Sequence, residues 1–395
     1  MIKRLLIIYI GLNILICNSS EAEETQSINI GVIHQRHTRD TISITDIPAD
    51  DDVISGALMG AADNNTTGKF TGQSFSITDI ATDESPNFKD IEQSIRNQNI
   101  NFIIADLPQQ GLIELSKLID SKKGVIFNIA ATDDDLRNEK CLSNLIHTTP
   151  SRSMLSDAIA QYLVWKQWKR WVLIKGSHPE DQLLGSAYVK SARKFGAKIV
   201  EEKVYEDTGG ARHTDSGHVQ TQRQIPLFTQ SLPPHDVIIA ADEHDVFAGY
   251  LPYRTSVPDI ITGSSGLVPT SWDATHEQWG AIQLQNRFIK SFRRTMNHRD
   301  ANAWLAVRMI GEAASRVQSS DSSKIIDFLF SKDFSIAAFK GAKLTIRDWD
   351  HQVRQPILLS DGKTIVSTSP QDGFLHQVTE LDTLGTDRPE SKCHF

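Results

Sequence analysis

Short apolar runs alternate with stretches of helical period along the chain. Ile28–Ile33 is a continuous apolar run of strand length, Val53, Ala57, Leu58 and Ala61 fall on one helical face, and Phe75 and Ile77 mark a second strand. Phe88, Ile91 and Ile95 then predict a helix, Ile100–Ala105 a strand, Leu112, Leu115 and Ile119 a helix, and Gly124–Ile129 another strand. That β-α-β-α-β-α-β order predicts parallel strands with helices on both faces, because a parallel crossover needs a dozen or more residues and a helix supplies them. The pattern restarts after Thr148-Thr149-Pro150: helix Met154–Trp168, strand Trp171–Lys175, helix Asp181–Phe195, strand Ala197–Val204 and strand Val237–Ala241. Two tandem α/β units are expected. Between them, Asp207–Gln224 has no apolar period and is read as a long polar loop, functional or mobile. Helices are expected at Gln278–Arg294 and Asp300–Val317, then strands at Lys343–Ile346, Val353–Leu359 and Thr364–Ser367, and an irregular end.

Composition narrows the class. With 395 residues and 39% hydrophobic content the chain is too long for one ordinary core and too apolar for disorder, which again indicates two lobes. A net charge of −8 argues against nucleic acid as a partner, since counterion release needs a basic face. Lys3 and Arg4 precede the apolar run Leu5–Cys17, and Ser20-Glu21-Ala22 offers small residues at the −3 and −1 positions of a cleavage site, so residues 1–22 read as a secretory signal peptide. The run is shorter than the roughly 18–20 residues of a membrane span, and no later run is long enough, so an exported protein that is not membrane-embedded is expected. One of the three cysteines leaves with the leader. Cys141 and Cys393 remain as an even pair in an oxidising compartment, and a disulfide between them is the favoured reading.

Enzyme signatures are not found: there is no GxGxxG after the first strand, no GxxxxGK[ST] and no CxxC, and His276-Glu277-Gln278-Trp279-Gly280 lacks the second histidine of a zincin. Gly263-Ser264-Ser265-Gly266 has the wrong spacing for a nucleophile elbow. The polar chemistry lies at the carboxyl ends of the strands, where open α/β sheets bind ligands. Those ends read His34-Gln35-Arg36-His37, Asp106-Leu107-Pro108-Gln109-Gln110, Ala130-Ala131-Thr132-Asp133-Asp134-Asp135, His178-Pro179-Glu180-Asp181 and Asp242-Glu243-His244-Asp245. They suit capture of a polar solute, with helix-opening N–H groups for anionic parts and carboxylates for amine, hydroxyl or metal.

INIGV at Ile28–Val32, GALMGAADNN at Gly56–Asn65, NIAATDDDL at Asn128–Leu136 and IHTTPS at Ile146–Ser151 resemble the periplasmic solute-binding proteins of ABC importers, of the leucine/isoleucine/valine-binding type. DNNTTGKFTGQ (Asp63–Gln73), YEDTGGARHTDSGHVQ (Tyr205–Gln220), GLVPTSWDATHEQWGA (Gly266–Ala281) and DRPESKC (Asp387–Cys393) resemble the subgroup associated with pyrroloquinoline-quinone-dependent alcohol oxidation. The resemblance implies an α/β, type I periplasmic binding protein fold: two Rossmann-like lobes with parallel sheets, joined by three crossover segments and closing over a ligand. The crossovers are expected near Thr148–Ser151, Gly263–Asp273 and Leu344–Asp350. The corresponding division is 23–149 and 269–345 for the first lobe, 150–268 for the second, and 346–395 for the rest of the second lobe and a tail.

In amino-acid-binding members a strand-end serine and an Ala-x-Thr loop grip the carboxylate, while a second-lobe acid holds the amine. Ala130 and Thr132 match the loop and Asp242 the acid. No hydroxyl occurs within Asp106–Gln110 and no tyrosine at Glu180–Gln182, which argues against an α-amino acid. The expected ligand residues are Asp106, Ala130, Thr132, Asp242 and Glu243 at strand ends, and Trp272 as an aromatic wall, with Trp279 as a further aromatic candidate. Asp133-Asp134-Asp135 read as helix caps ahead of metal ligands, and no metal or cofactor is assigned. His34 and His37 read as solvated loop residues ahead of ligands. Trp165, Trp168 and Trp171 read as packing, and Arg212, His213 and His218 as a lid or docking surface. The function implied is a monomeric, non-enzymatic periplasmic protein that delivers a small polar solute to an ABC permease serving alcohol oxidation. The alternative is a periplasmic sensor, or a partner presenting a cofactor or metal to the dehydrogenase system.

Overall fold

The computed structural model describes residues 26–35, 48–83, 86–207 and 221–395. The leader, His37, Arg212, His213 and His218 lie outside them. The first lobe begins with β1 (Gln26–Gln35), α1 (Ile54–Thr71), β2 (Gln73–Thr82), α2 (Phe88–Asn97), β3 (Phe102–Asp106), α3 (Gln109–Leu118), β4 (Val125–Asn128) and β5 (Leu145–His147). Its sheet has the order β2-β1-β3-β4-β5 with every pairing parallel. The central strands are buried on both faces, which is why β3 and β4 read as unbroken apolar runs rather than as alternating ones.

The second lobe takes α4 (Arg152–Trp165), β6 (Arg170–Gly176), α5 (Pro179–Phe195), β7 (Lys198–Tyr205), α6 (Thr221–Phe228), β8 (Val237–Ala241), α7 (Leu251–Arg254), β9 (Ile261–Gly263) and β10 (Val268–Thr270). Its parallel sheet runs β7-β6-β8-β9. The expected loop 207–224 ends early, because Thr221 and Ile225 bury one face of α6. The chain then returns to the first lobe with α8 (Ala281–Phe292), α9 (His298–Val317), α10 (Ser322–Leu329), β11 (Ile336–Ala337), β12 (Lys343–Ile346) and β13 (Val353–Arg354), and finishes its strands on the second lobe with β14 (Ile357–Ser360) and β15 (Ile365–Ser369).

Successive side chains of a strand point to opposite faces, so each sheet is the centre of two cores. In the first lobe Ile30, Ile104 and Phe127 pack with α1, α8 and α9, while Ile33, Ile103 and Ile126 pack with α2 and α3. In the second, Trp171, Leu173 and Ile239 meet α4 and α5, while Val172, Ile174 and Ile238 meet Ile225 and Leu251. The GALMG run at the start of α1 has a steric reason: a Cβ on Gly56 would stand 2.0 Å from the Asp300 carbonyl oxygen and one on Gly60 2.9 Å from Val307 Cβ, so glycine lets α1 lie directly on α9.

Three passages join the lobes. The first runs through Thr148–Ser151. The second lies between β10 and Trp272, whose indole is already in the first-lobe core. The third falls between Val353, in the first-lobe core, and Ile357, in the second, a few residues beyond the expected Leu344–Asp350. The apolar stretch that predicted one strand over Val353–Leu359 is therefore two short strands in different lobes, parted at Gln355-Pro356, where proline has no N–H to continue a ladder.

The end of the chain forms a strap. Gln161 Nε2 donates to Thr383 Oγ1 at 2.8 Å and the Gly385 N–H to Asp157 Oδ2 at 2.8 Å, which fixes it to α4 of the second lobe. It then crosses to the first lobe, where Cys393 forms the expected disulfide with Cys141, 252 residues away, and Phe395 stacks on His351 with ring centroids 3.9 Å apart. Cys393→Ser is expected to lower stability by about 2–4 kcal/mol, less than chain-entropy closure of so long a loop would give. Denaturant unfolding checks the magnitude, and limited proteolysis should show earlier cutting after Gly385.

Candidate ligand-binding cleft

The carboxyl ends of β1, β3 and β4 and the loops after them face the second lobe across a cleft of about 440 Å³. The first lobe contributes Gln35, the stretch Asp106–Gln110, the loop Ala130–Asp133 and Arg299, and the second contributes Arg152, Glu180, Leu183 and Glu243. Of the residues expected to touch solute, Asp106, Ala130, Thr132 and Glu243 are thus brought together on one cavity. Asp106 is buried at the end of β3 and lies 3.3 Å from Arg299 Nη1. Asn128 shapes the next loop, its Oδ1 accepting from the N–H groups of Ala130 at 3.1 Å and Ala131 at 2.9 Å. Those two amides are already engaged by the protein, while Thr132 turns its backbone carbonyl toward the Arg152 N–H at 2.8 Å.

Arg152 holds the two walls together. Its Nε and Nη2 each donate to a Glu243 carboxylate oxygen at 2.7 Å, and its Nη1 donates to Asp133 Oδ1 at 2.8 Å. A forked guanidinium matches two carboxylate oxygens and still has a donor for a third, which a lysine could not do. Burial works against the Arg152 charge, but Glu243 and Asp133 outweigh it and hold its pKa above the usual value. Burial pushes the Glu243 carboxyl up, and Arg152 pulls it back. The sequence carries one sign of this role. Ser151 caps α4 by accepting from the Met154 N–H, so Arg152 sits in the first helical turn, where the dipole disfavours a cation unless carboxylates compensate.

Two strand-end strings of the second lobe are stitched together. Asp181, fully buried, accepts from the Glu243 N–H at 2.6 Å, and the rings of His178 and His244 stack with centroids 4.0 Å apart beside Glu180. A hydrogen bond from His178 Nε2 to the Asp207 carboxylate at 2.9 Å raises the pKa of that imidazole.

Asp242 and Trp272 do not line the cleft. Asp242 is 3% exposed, and its carboxylate accepts from the N–H groups of Val246, Phe247 and Ala248 at 2.7–2.9 Å, so three converging donors turn it inward to build the loop after β8. Trp272 is 3% exposed in the first-lobe core, edge-on to His276, because the crossover that carries it has already reached that core. Trp279 is half exposed and packs over Gly341 instead. The three aspartates disperse: Asp133 goes to Arg152, Asp134 accepts from the Ser153 N–H at 3.1 Å, and Asp135 pairs with Lys140 at 2.9 Å. Among the described residues no group of three or more His, Cys, Asp or Glu is placed to hold a metal ion. His34 is buried, 2.8 Å from Asp79, and Trp171 is buried under α4 while Trp165 is half exposed. Among the described residues no helix is long and apolar enough to cross a membrane.

A family model described as periplasmic binding protein matches residues 40–215. No curated protein sequence matches the chain. Among solved structures, a branched-chain amino acid ABC transporter periplasmic ligand-binding protein from Burkholderia xenovorans superposes with a TM-score of 0.70 at 15% identity, over 93% of this chain and 99% of that one. An ABC transporter solute-binding protein from Rhodopseudomonas palustris in complex with benzoate gives 0.65 at 12% identity, over 93% and 100%. The closed leucine-, isoleucine-, valine-, threonine- and alanine-binding protein from Brucella ovis gives 0.66 at 13%, over 84% and 89%. The two-lobed α/β architecture with its three crossings is accordingly the type I periplasmic binding protein fold.

Proposed function

We propose that the chain is the periplasmic solute-binding component of an ABC importer, capturing a small polar solute by interlobe closure and delivering it to a membrane permease. The observation that carries this reading is the cleft itself, at the strand ends and walled by both lobes, so that a solute touching both sides favours the closed arrangement. The names of the structural neighbours support the same role.

The lining favours a neutral or cationic solute rich in hydroxyl or amine groups. Four carboxylates, Asp106, Asp133, Glu180 and Glu243, face it against two guanidiniums, and Arg152 and Arg299 both already lie against carboxylates. With the Ala130 and Ala131 amides turned to Asn128, the loop that resembles a carboxylate grip has fewer donors to offer an anion. The long strings at 63–73, 205–220 and 266–281 support a link to pyrroloquinoline-quinone-dependent alcohol oxidation.

A melting-temperature screen of alcohols, polyols, amines, amino acids and hydroxy acids, followed by calorimetry, tests the reading. Thr132→Ala and Glu180→Gln are each expected to weaken binding of the solute found by about tenfold, the value of one well-formed hydrogen bond to a buried or charged group. Small-angle scattering should show a smaller radius of gyration when that solute saturates. Unchanged affinity in both variants, or an unchanged radius, would count against the assignment.

A further inference from the structure

We infer that a second ligand site lies behind the third crossover and takes a small amphipathic anion, an aromatic or aliphatic carboxylate. A cavity of about 620 Å³ opens between the β12–β13 pair of the first lobe and the C-terminal strap. It is larger than the interlobe cleft, shares no residue with it, and falls within the range of small-molecule sites. Phe334, Ile346, Trp349 and Leu381 give it apolar walls. The Trp349 ring is held in place by the guanidiniums of Arg347 and Arg354, 5.2 and 5.1 Å from its centroid.

The charges on the rim do not balance. Each carboxylate there already has a partner: Asp348 lies 3.0 Å from Arg388, Asp382 2.8 Å from Arg354, and Asp387 3.2 Å from His376. Lys332 and Lys343, both exposed on this cavity, have no carboxylate partner among the described residues. Two uncompensated ammonium groups beside an aromatic wall attract a ligand with an anionic head and an apolar body, and repel a cation. This selectivity is opposite to that of the acidic cleft.

The walls also come from both lobes. Phe334 and Ile346 pack on the first-lobe core, whereas the strap carrying Leu381 and Asp382 is tied to α4 through Thr383 and Gly385. An occupant therefore touches both sides of the passage at Val353–Ile357, and its binding favours the interlobe arrangement that keeps these walls in register.

The test uses 4-phenylbutyrate as probe on the full chain, with 4-phenylbutanol as its neutral counterpart. Calorimetry should show saturable binding of the acid, weakened at least about tenfold in Lys332→Glu/Lys343→Glu and unchanged in Leu183→Arg, which alters only the cleft. The alcohol should bind at least about tenfold more weakly than the acid. Amide hydrogen exchange should slow at 343–354 and 376–389 together. Absence of binding at millimolar probe, equal binding of acid and alcohol, or binding abolished by Leu183→Arg but indifferent to the lysine reversals would each overturn the proposal. Neither measurement uses the cleft solute, so failure here leaves the proposed transport role standing, and the reverse holds as well.

Discussion

Arg347→Met is expected to destabilise the protein by about 3–5 kcal/mol, the cost of breaking a buried ion pair from one side. Arg347 and Asp382 are each 1% exposed. The guanidinium Nε donates to Asp382 Oδ1 at 2.9 Å, and Nη2 donates to the carbonyls of Leu384 at 2.7 Å and Leu381 at 3.2 Å. Methionine fills much of the volume but has no donor, so the carbonyls of Leu381 and Leu384 lose their partner. Arg354 keeps a hold on Asp382 at 2.8 Å, which prevents a wholly uncompensated charge. Urea unfolding measures the effect, and adding Asp382→Asn should restore part of it, because the two losses are coupled through one network. A loss below about 1 kcal/mol would mean that the strap is not held from this point.

A comparably large effect is expected from pH acting on Lys340. This lysine is 5% exposed between the lobes' shared crossovers, and its Nζ donates to Gln355 Oε1, whose amide in turn donates to the Thr148 carbonyl at 2.6 Å. Burial pushes its pKa down from 10.5 to about 7. Between those two values the unfolded chain binds a proton that the folded chain does not, so stability contributed by the neutral amine is present above pH 10.5 and is lost as pH falls toward 7. The wild type should gain roughly 4 kcal/mol relative to Lys340→Met between pH 7 and pH 10, at close to 1.4 kcal/mol per unit. Taking the difference between the two proteins cancels the other titrating groups. A flat difference across that range would show the amine to be charged and solvated in the folded state.

How much of this was legible in sequence depended on the kind of signal. Buried parallel strands announce themselves as apolar runs, and β8 was read to its exact ends because Val237–Ala241 is buried throughout. The strand-end loops were legible for the same reason: once strands are placed, the cleft must lie at their carboxyl ends. Periodicity cannot tell which way a polar or aromatic side chain turns when two environments lie within reach. Asp242 stands beside Glu243, yet one carboxylate folds back onto three N–H groups and the other reaches Arg152. Trp272 lies at a crossover and faces a core. The lobe change at Gln355-Pro356 was hidden because apolar residues on either side serve different cores but read as one run.

The Cys141–Cys393 bond has a consequence for synthesis. Because its mate lies 252 positions further along the sequence, Cys141 cannot be oxidised by it until synthesis has carried the polypeptide through position 393. Any product stopped short, by premature termination or by a protease acting on the emerging tail, retains an unpaired thiol on its first lobe, open to mixed disulfides with oxidoreductases. The bond therefore marks covalently the molecules whose synthesis has passed position 393, and thiol-reactive capture should enrich shorter chains over them.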